Sequence, residues 1–128
     1  MSEVFDKPVR DIMTRPVVTV LSSEPVVTAV RKMVSHDIGA VIVVSGEVPV
    51  GIITERDVLK RVILERRDPQ NTSCQEIMSK PLITVRPETP LGEALSVMKR
   101  SGIRRLPVVE QGKLIGIVTE KDIIREIL

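Results

Sequence analysis

The chain has 128 residues, of which 42% are hydrophobic and 28% are charged, and its formal net charge is +2. A chain of this length holds one compact domain or two small halves that share a core, which excludes a large catalytic scaffold. It contains no long apolar run and no basic-then-apolar leader, so we expect a soluble, cytoplasmic protein without a membrane span. The balanced charge and the single aromatic residue, Phe5, argue against nucleic-acid binding, which usually requires a basic excess or stacking rings.

Few residues are available for metal or redox chemistry. Cys74 is the only cysteine and His36 the only histidine, so neither an internal disulfide nor a Cys/His zinc cluster can form. We expect His36 to end a helix and interact with its dipole, Cys74 to lie at the edge of a linker, and the methionines to fill the core. Because we find no nucleophile–base pair and no P-loop, we predict that the protein is not an enzyme and holds no metal or prosthetic group.

An internal repeat organises the chain. Residues 9–63 match residues 74–128 without a gap at an offset of 65 residues, so two copies of one unit make up the protein. Between them the polar stretch Arg66–Ser73 contains a proline and suits a surface linker. We therefore divide the chain into a first repeat over 1–66, a linker over 67–73 and a second repeat over 74–128.

Each repeat is predicted to run strand, helix, strand, strand, helix. In the first repeat, Val17–Val20 is a short β-branched strand, which matches Leu82–Val85 in the second, and Pro25 opens a helix. Two apolar runs, Ala40–Val44 and Val48–Thr54, predict a hairpin, and a helix over Glu55–Arg66 follows it. The first long helix is expected to face the core with Val26, Val27, Ala29, Val30, Met33 and Val34, and its copy with Leu91, Ala94, Leu95 and Met98.

A single repeat would bury too little apolar surface to offset its chain entropy. We therefore expect the two repeats to pack against each other with pseudo-twofold symmetry. Apolar helix faces left over after this packing predict a further association into a homodimer.

Thr54 and Asp57 stand where a strand is expected to run into a helix, and Thr119 and Asp122 repeat the arrangement. A helix N-terminus attracts anions, a threonine hydroxyl adds a hydrogen bond, and an aspartate accepts hydrogen bonds from ribose hydroxyls, a combination that suits a nucleoside phosphate. The alternative is a capping box, in which both side chains only satisfy the amides of their own helix.

Two further features leave alternatives open. Gly51 and Gly116 each stand three residues before a threonine within a predicted strand, which indicates either a close approach of another group to the backbone or a β-bulge. A cationic cluster near the end of the first repeat is either a solvated helix end or a contact surface for nucleic acid or a partner; it comprises Lys60, Arg61, Arg66 and Arg67.

In their order, spacing and duplication, these motifs resemble paired CBS domains. The resemblance rests on the Ile-Met-[Thr/Ser]-x-Pro start, the hydrophobic-Thr-Val strand, the Ala-x-x-x-Met helix and the Gly-Ile-[Ile/Val]-Thr-Glu-x-Asp end, and it covers Val9–Leu128. It implies an α/β (α+β) fold of two β-α-β-β-α repeats and a stand-alone regulatory, energy-sensing module that signals to a separate effector protein. The implied ligand is an adenosine compound such as AMP, ADP, ATP or S-adenosylmethionine. The alternative is a dimerisation or interaction module that binds no ligand.

The resemblance also implies two clefts, each of which takes its threonine and aspartate from one repeat and its adenine-contacting residues from the other. The first cleft is expected to use Thr54, Arg56, Asp57, Met78, Ile83, Ile103, Arg104 and Arg105. The second cleft is expected to use Met13, Val18, Ile38, Gly39, Ala40, Thr119, Lys121 and Asp122.

Arg104 and Arg105 have two interpretations. Guanidinium groups pair well with phosphate oxygens, whereas the alternative is two solvated arginines in a turn. Small residues replace them in the second cleft. We therefore expect a polyphosphate to prefer the first cleft, and the second to bind more weakly, to take a less charged adenosine, or to stay empty.

Overall fold

A computed structural model describes residues 2–128, apart from the side chain of Ser2. The chain divides into two compact units. The contiguous unit comprises Val18–Leu82, and the split unit joins the residues up to Val17 with Ile83–Leu128. The compact units and the sequence repeats therefore divide the chain at different points, because Cys74–Leu82 begin the second repeat but pack within the contiguous unit.

The described residues form six α-helices and five strands. In chain order these are α1 (Ser2–Asp6), β1 (Thr19–Leu21), α2 (Val26–His36), β2 (Ala40–Ser45), β3 (Val48–Thr54), α3 (Glu55–Val58), α4 (Cys74–Ile77), α5 (Leu91–Ser101), β4 (Arg105–Glu110), β5 (Lys113–Thr119) and α6 (Glu120–Ile127). A 3-10 turn over Val9–Asp11 follows α1, and a π-helical turn over Leu59–Ile63 continues α3. Within residues 2–128, no helix has the length and apolar character needed to cross a membrane.

The contiguous unit contains a three-stranded sheet in the order β1-β2-β3. Strand β1 is parallel to β2, and β2 and β3 form the predicted antiparallel hairpin. Val41–Val44 of β2 are all buried, as expected for a central strand covered on both faces. The buried core consists of Val20, Val26, Ala29, Met33, Val41, Val43, Ile53, Val62, Cys74, Ile77 and Met78.

The split unit has its own core around the β4–β5 hairpin. Helix α1 contributes Phe5, which packs against Gly92 of α5. The buried core consists of Val9, Val85, Leu91, Ala94, Met98, Leu106, Val108, Val118 and Ile123. Each unit thus combines the helices and hairpin of one repeat with the segment that, in sequence, begins the other repeat.

The first strand predicted for the second repeat, Leu82–Val85, does not form. Its only strand-like pairing is a single bridge from Val85 to Val108. In the contiguous unit, the Ile42 amide donates to the Val18 carbonyl oxygen at 3.3 Å. Pro107 occupies the equivalent place in the split unit and has no N–H to donate, so the parallel ladder cannot extend.

The helices also depart from the sequence prediction at three places. Pro25 is the N-cap of α2 and not its first residue. Val34 is 76% exposed and not in the core, because it lies about 100° around the helix from the buried Met33. The helix predicted over Glu55–Arg66 changes to π-type bonding after Val58, where the Leu64 amide donates to the Leu59 carbonyl oxygen five residues earlier. Helix α2 ends at His36, as predicted.

Cys74 directly follows the linker, as expected, and it is buried at the start of α4. It has 0% relative exposure, and its Sγ lies 3.7 Å from the Pro25 carbonyl oxygen. The Cys74 amide donates to the Glu24 carbonyl oxygen at 2.8 Å, which holds the start of α4 beside the turn before α2. Burial is the main cause that raises the pKa of the thiol from 9.0 to about 11, since a thiolate without water is destabilised.

This burial predicts that the Cys74 thiol reacts slowly. At pH 8 we expect Cys74 in the folded protein to react with a disulfide-exchange reagent such as DTNB about a hundredfold more slowly than in the unfolded chain, because the raised pKa lowers its thiolate fraction. The measurement is the labelling rate with and without denaturant. Equal rates under both conditions would contradict the burial.

Candidate functional site

Thr54 and Asp57 form a complete capping box at the start of α3. The Thr54 hydroxyl accepts from the Asp57 amide at 3.2 Å, and Asp57 Oδ2 accepts from the Thr54 amide at 2.9 Å. The Glu55 amide donates to the Gly39 carbonyl oxygen at 3.1 Å. The capping box that the sequence offered as an alternative is therefore formed. The amides of Glu55 and Asp57 in the first turn already have partners within the contiguous unit.

The second carboxylate oxygen of Asp57 is also engaged. Ser79 donates its hydroxyl to Asp57 Oδ1 at 2.8 Å, and Arg61 Nε lies 3.9 Å from the same oxygen. Arg61 donates in addition to the Ile77 and Met78 carbonyl oxygens at 3.2 and 3.0 Å. Asp57 is only 7% exposed, so a closed network holds its carboxylate in place.

Thr119 and Asp122 repeat the capping box at the start of α6. Asp122 Oδ2 accepts from the Thr119 amide at 3.0 Å, and the Thr119 hydroxyl accepts from the Asp122 amide at 3.1 Å. The Glu120 amide donates to the Arg104 carbonyl oxygen at 2.9 Å. The other oxygen of Asp122 lies 3.6 Å from the guanidinium of Arg125, whose side chain is 75% exposed. Asp122 is therefore held less tightly than Asp57.

Both interpretations of the strand glycines hold. A β-bulge adjoins each glycine, since the register shifts beside the Val43–Gly51 pair and again beside the Val108–Gly116 pair. A methionine also packs against each: a Cβ built on Gly51 would meet Met78 Cγ at 2.8 Å, and one built on Gly116 would meet Met13 Cγ at the same distance. The group that approaches the backbone is therefore a side chain of the protein itself.

A model of the CBS domain matches residues 9–64 and 74–128. The chain belongs to the CBS domain family. An uncharacterized protein of Methanopyrus kandleri, MK0525, is 42% identical over 119 residues. That match covers 91% of this chain and 61% of the relative, so the chain spans less than two thirds of the relative's length.

Two solved CBS structures share the fold. Hypoxic response protein I with two coordinated zinc ions has a TM-score of 0.87 at 32% identity, over 93% of this chain and 98% of that one. The CBS domain pair of protein MJ0100, in complex with 5'-methylthioadenosine and S-adenosyl-L-methionine, has a TM-score of 0.83 at 29% identity, over 93% and 94%. These matches confirm the predicted α/β fold of two CBS repeats.

The predicted CBS cleft residues are distributed over both units. The contiguous unit holds Thr54, Arg56, Asp57 and Met78 of the first set, with Val18, Ile38, Gly39 and Ala40 of the second. The split unit holds Ile83, Ile103, Arg104 and Arg105 of the first set, with Met13, Thr119, Lys121 and Asp122 of the second. Within the contiguous unit, the Gly39 carbonyl oxygen contacts the helix start at Glu55, and the Arg104 carbonyl oxygen does the same at Glu120 in the split unit.

Sequence reasoning did not find Ser79 or Arg61 as partners of Asp57. A signal for Ser79 was available, because Ser79 and Thr14 occupy the same position of the repeat and both carry a hydroxyl. No comparable signal marks Arg61, since Glu126 occupies its place in the second repeat. Glu126 instead forms an ion pair with Lys7 at 2.8 Å.

The cationic cluster at the end of the first repeat is in part structural. Arg61 donates to two carbonyl oxygens at the end of α4. Arg67 Nε lies 3.3 Å from Glu65 and its Nη1 lies 3.6 Å from Glu76. Among residues 2–128, no group of three or more His, Cys, Asp or Glu side chains is arranged to hold a metal ion.

Proposed function

We propose that this CBS domain pair is a regulatory module that binds an adenosine-containing ligand and signals to a separate partner protein. The observation that carries the proposal is the duplicated threonine–aspartate pair at a strand-to-helix junction, in a chain similar to the MJ0100 domain pair, which binds two adenosine compounds. In each unit the aspartate is the acceptor for the ribose hydroxyls. Arg56 and Lys121, both exposed, supply positive charge beside the two aspartates.

The full ligand set is the one that the family resemblance implies. The aliphatic residues that we propose to contact adenine are Ile83 and Ile103 of the first set and Val18 and Ile38 of the second. Arg104 and Arg105 of the first set favour phosphates, so we propose that ATP prefers the first set. Binding, and not turnover, is the activity that we assign, and nucleotide hydrolysis that disappears in Asp57→Ala would contradict this.

A thermal-shift titration with calorimetry tests the proposal. We expect adenosine, 5'-methylthioadenosine, S-adenosylmethionine, AMP, ADP or ATP to raise the melting temperature and GTP to leave it unchanged. A ligand at a hundred times its Kd adds about 2.7 kcal/mol of stability, which shifts the transition by several degrees. Asp122→Asn tests the Asp122 site with little structural damage, because Asp122 has fewer structural contacts than Asp57. It should weaken adenosine binding at that site and leave the shift with ATP in place. If no adenosine compound shifts the melting temperature at millimolar concentration, the two threonine–aspartate pairs serve only as capping boxes.

The second candidate function is an interaction module that dimerises without a ligand. It is favoured by apolar residues exposed on the last helical segment of each repeat: Leu59 and Ile63 are 59% and 60% exposed, and Ile124, the equivalent of Leu59, is 44% exposed. Repeated apolar residues suit a self-complementary interface. We propose a homodimer under either function.

The homodimer proposal predicts that charged residues placed in the proposed interface lower the molecular mass measured in solution. Light scattering of the wild type should give twice the chain mass, and Leu59→Glu combined with Ile124→Glu should give the monomer mass, because a carboxylate in an apolar interface is desolvated. Val48→Glu is the control, since Val48 is 54% exposed and is the first residue of strand β3, not part of a helix. A monomeric wild type would contradict the proposal.

Signalling requires a partner whose binding depends on the ligand. Purified protein immobilised with and without ATP should retain different sets of proteins from the source lysate. Identical sets would count against a sensor.

A further inference from the structure

The two aspartates that are proposed to bind ribose differ in how much of their carboxylate is free. A ribose presents two hydroxyl donors, and the carboxylate that accepts both uses oxygen lone pairs that no other donor occupies. Each Oδ2 is already committed to the capping box. The competition between ligand and protein therefore takes place at Oδ1.

At Asp57, Oδ1 is occupied from within the contiguous unit. The Ser79 hydroxyl donates to it at 2.8 Å, a short bond to a charged acceptor in a residue that is only 7% exposed. The backbone of Ser79 fixes the hydroxyl there, because its amide and carbonyl oxygen pair with Ile52 at 2.8 and 3.1 Å. Asp57 Oδ2 already accepts from both the amide and the hydroxyl of Thr54, at 2.9 and 3.0 Å. A ribose with two donors therefore needs both lone pairs of Oδ1 and must displace the strong Ser79 bond.

At Asp122, the equivalent competitor is absent. Thr14 takes the place of Ser79 and pairs in the same way with Ile117, at 2.8 and 3.0 Å. Across residues 2–128, however, the structure shows no hydrogen bond between the Thr14 hydroxyl and Asp122. The one ion pair at Oδ1 is made by Arg125, whose side chain is 75% exposed and free to move aside for a ligand.

We propose that Ser79 is a positioning residue that sets which site an uncharged adenosine occupies. This inference rests on the proposed function. Ser79 closes the Asp57 carboxylate to ribose, so adenosine and 5'-methylthioadenosine bind first at Asp122. Phosphate contacts are needed to displace Ser79 at Asp57. The two sites thereby divide adenosine ligands by charge, with ATP at one site and neutral adenosine compounds at the other.

Calorimetry with adenosine, which carries no phosphate, tests this division. In the wild type, adenosine should bind at one tight site that Asp122→Asn removes. In the Asp122→Asn background, Ser79→Ala should raise the affinity of the remaining site about tenfold, the order expected for removing one competing charge-assisted hydrogen bond. Ser79→Thr keeps a hydroxyl and should retain the low affinity. Thr14→Ala is the matched control and should leave adenosine affinity unchanged in an otherwise wild-type chain.

The outcomes separate this inference from the proposed function. A gain of affinity cannot result from structural damage, so a tenfold gain in Ser79→Ala supports the role of Ser79. Adenosine that binds with equal affinity whether or not Ser79 is present overturns the inference but leaves the proposed function intact. Wild-type adenosine binding that is lost in Asp57→Asn and kept in Asp122→Asn also overturns it. No adenosine binding to any variant overturns both.

Discussion

Asp57→Ala is expected to lower the free energy of unfolding by about 3 kcal/mol, and Asp122→Ala by about 1 kcal/mol. The two residues occupy equivalent positions, and each completes a capping box. Asp57 is buried and also accepts the Ser79 hydroxyl, so its removal leaves that hydroxyl without its acceptor and the Arg61 guanidinium without its carboxylate partner. The Asp122 side chain is 20% exposed, and its loss removes mainly a helix cap.

Urea denaturation of both variants, with the wild type in the same buffer, measures the difference. The Ser79→Ala variant and the Ser79→Ala, Asp57→Ala double variant complete a thermodynamic cycle that isolates the Ser79–Asp57 contribution. Equal losses at Asp57 and Asp122 would mean that the Ser79 and Arg61 contacts contribute nothing. Because Asp57→Ala is destabilising on its own, weaker nucleotide binding in that variant would not demonstrate a contact with the ligand.

Gly51→Ala should cost about 2 kcal/mol, and Gly116→Ala about 1 kcal/mol or less. The new methyl group at residue 51 would meet Met78 Cγ at 2.8 Å and the Ser79 carbonyl oxygen at 3.0 Å. Met78 is buried, and the Ser79 backbone is held by the Ile52 bridge. Neither group can move away cheaply.

At residue 116 the three nearest atoms to the new methyl group all belong to the side chain of Met13, which is only half-buried and can rotate. Since the substitution is the same at both sites, the change in unfolded-chain entropy cancels in the comparison. In a double-mutant cycle, truncating Met78 should cost less in the Gly51→Ala background than in the wild type, because it also relieves the contact with the new methyl group. Thermal and chemical denaturation of the pair should rank Gly51→Ala as the less stable, and the reverse order would contradict the account of the two contacts.

Features that depend on near neighbours in sequence could be predicted. Strand Val48–Thr54 begins and ends where its apolar run does, because turn residues bound the run on one side and a helix cap on the other. The threonine and aspartate of each capping box stand three residues apart, so their spacing alone indicated a cap.

Features that depend on partners distant in sequence could not be predicted from the sequence. The loss of the Leu82–Val85 strand follows from the missing N–H of Pro107 on another strand. The Ser79–Asp57 bond joins residues 22 apart and exists only because α4 and the segment after it pack on the first repeat. For the same reason the sequence identified the two glycines as sites of close approach but not the methionines that approach them.

Each compact unit contains the opening segment of the other repeat. This arrangement determines which of the two cores can form first during synthesis. The contiguous unit has all of its residues once synthesis has passed Leu82, so its core is able to close while the rest of the chain is still being added. The split unit must wait, because Val9 packs with Leu91, Leu106 and Ile123. Its opening segment therefore leaves the ribosome before the contiguous unit does but finds its partners after it, and throughout that interval its apolar side chains remain uncovered.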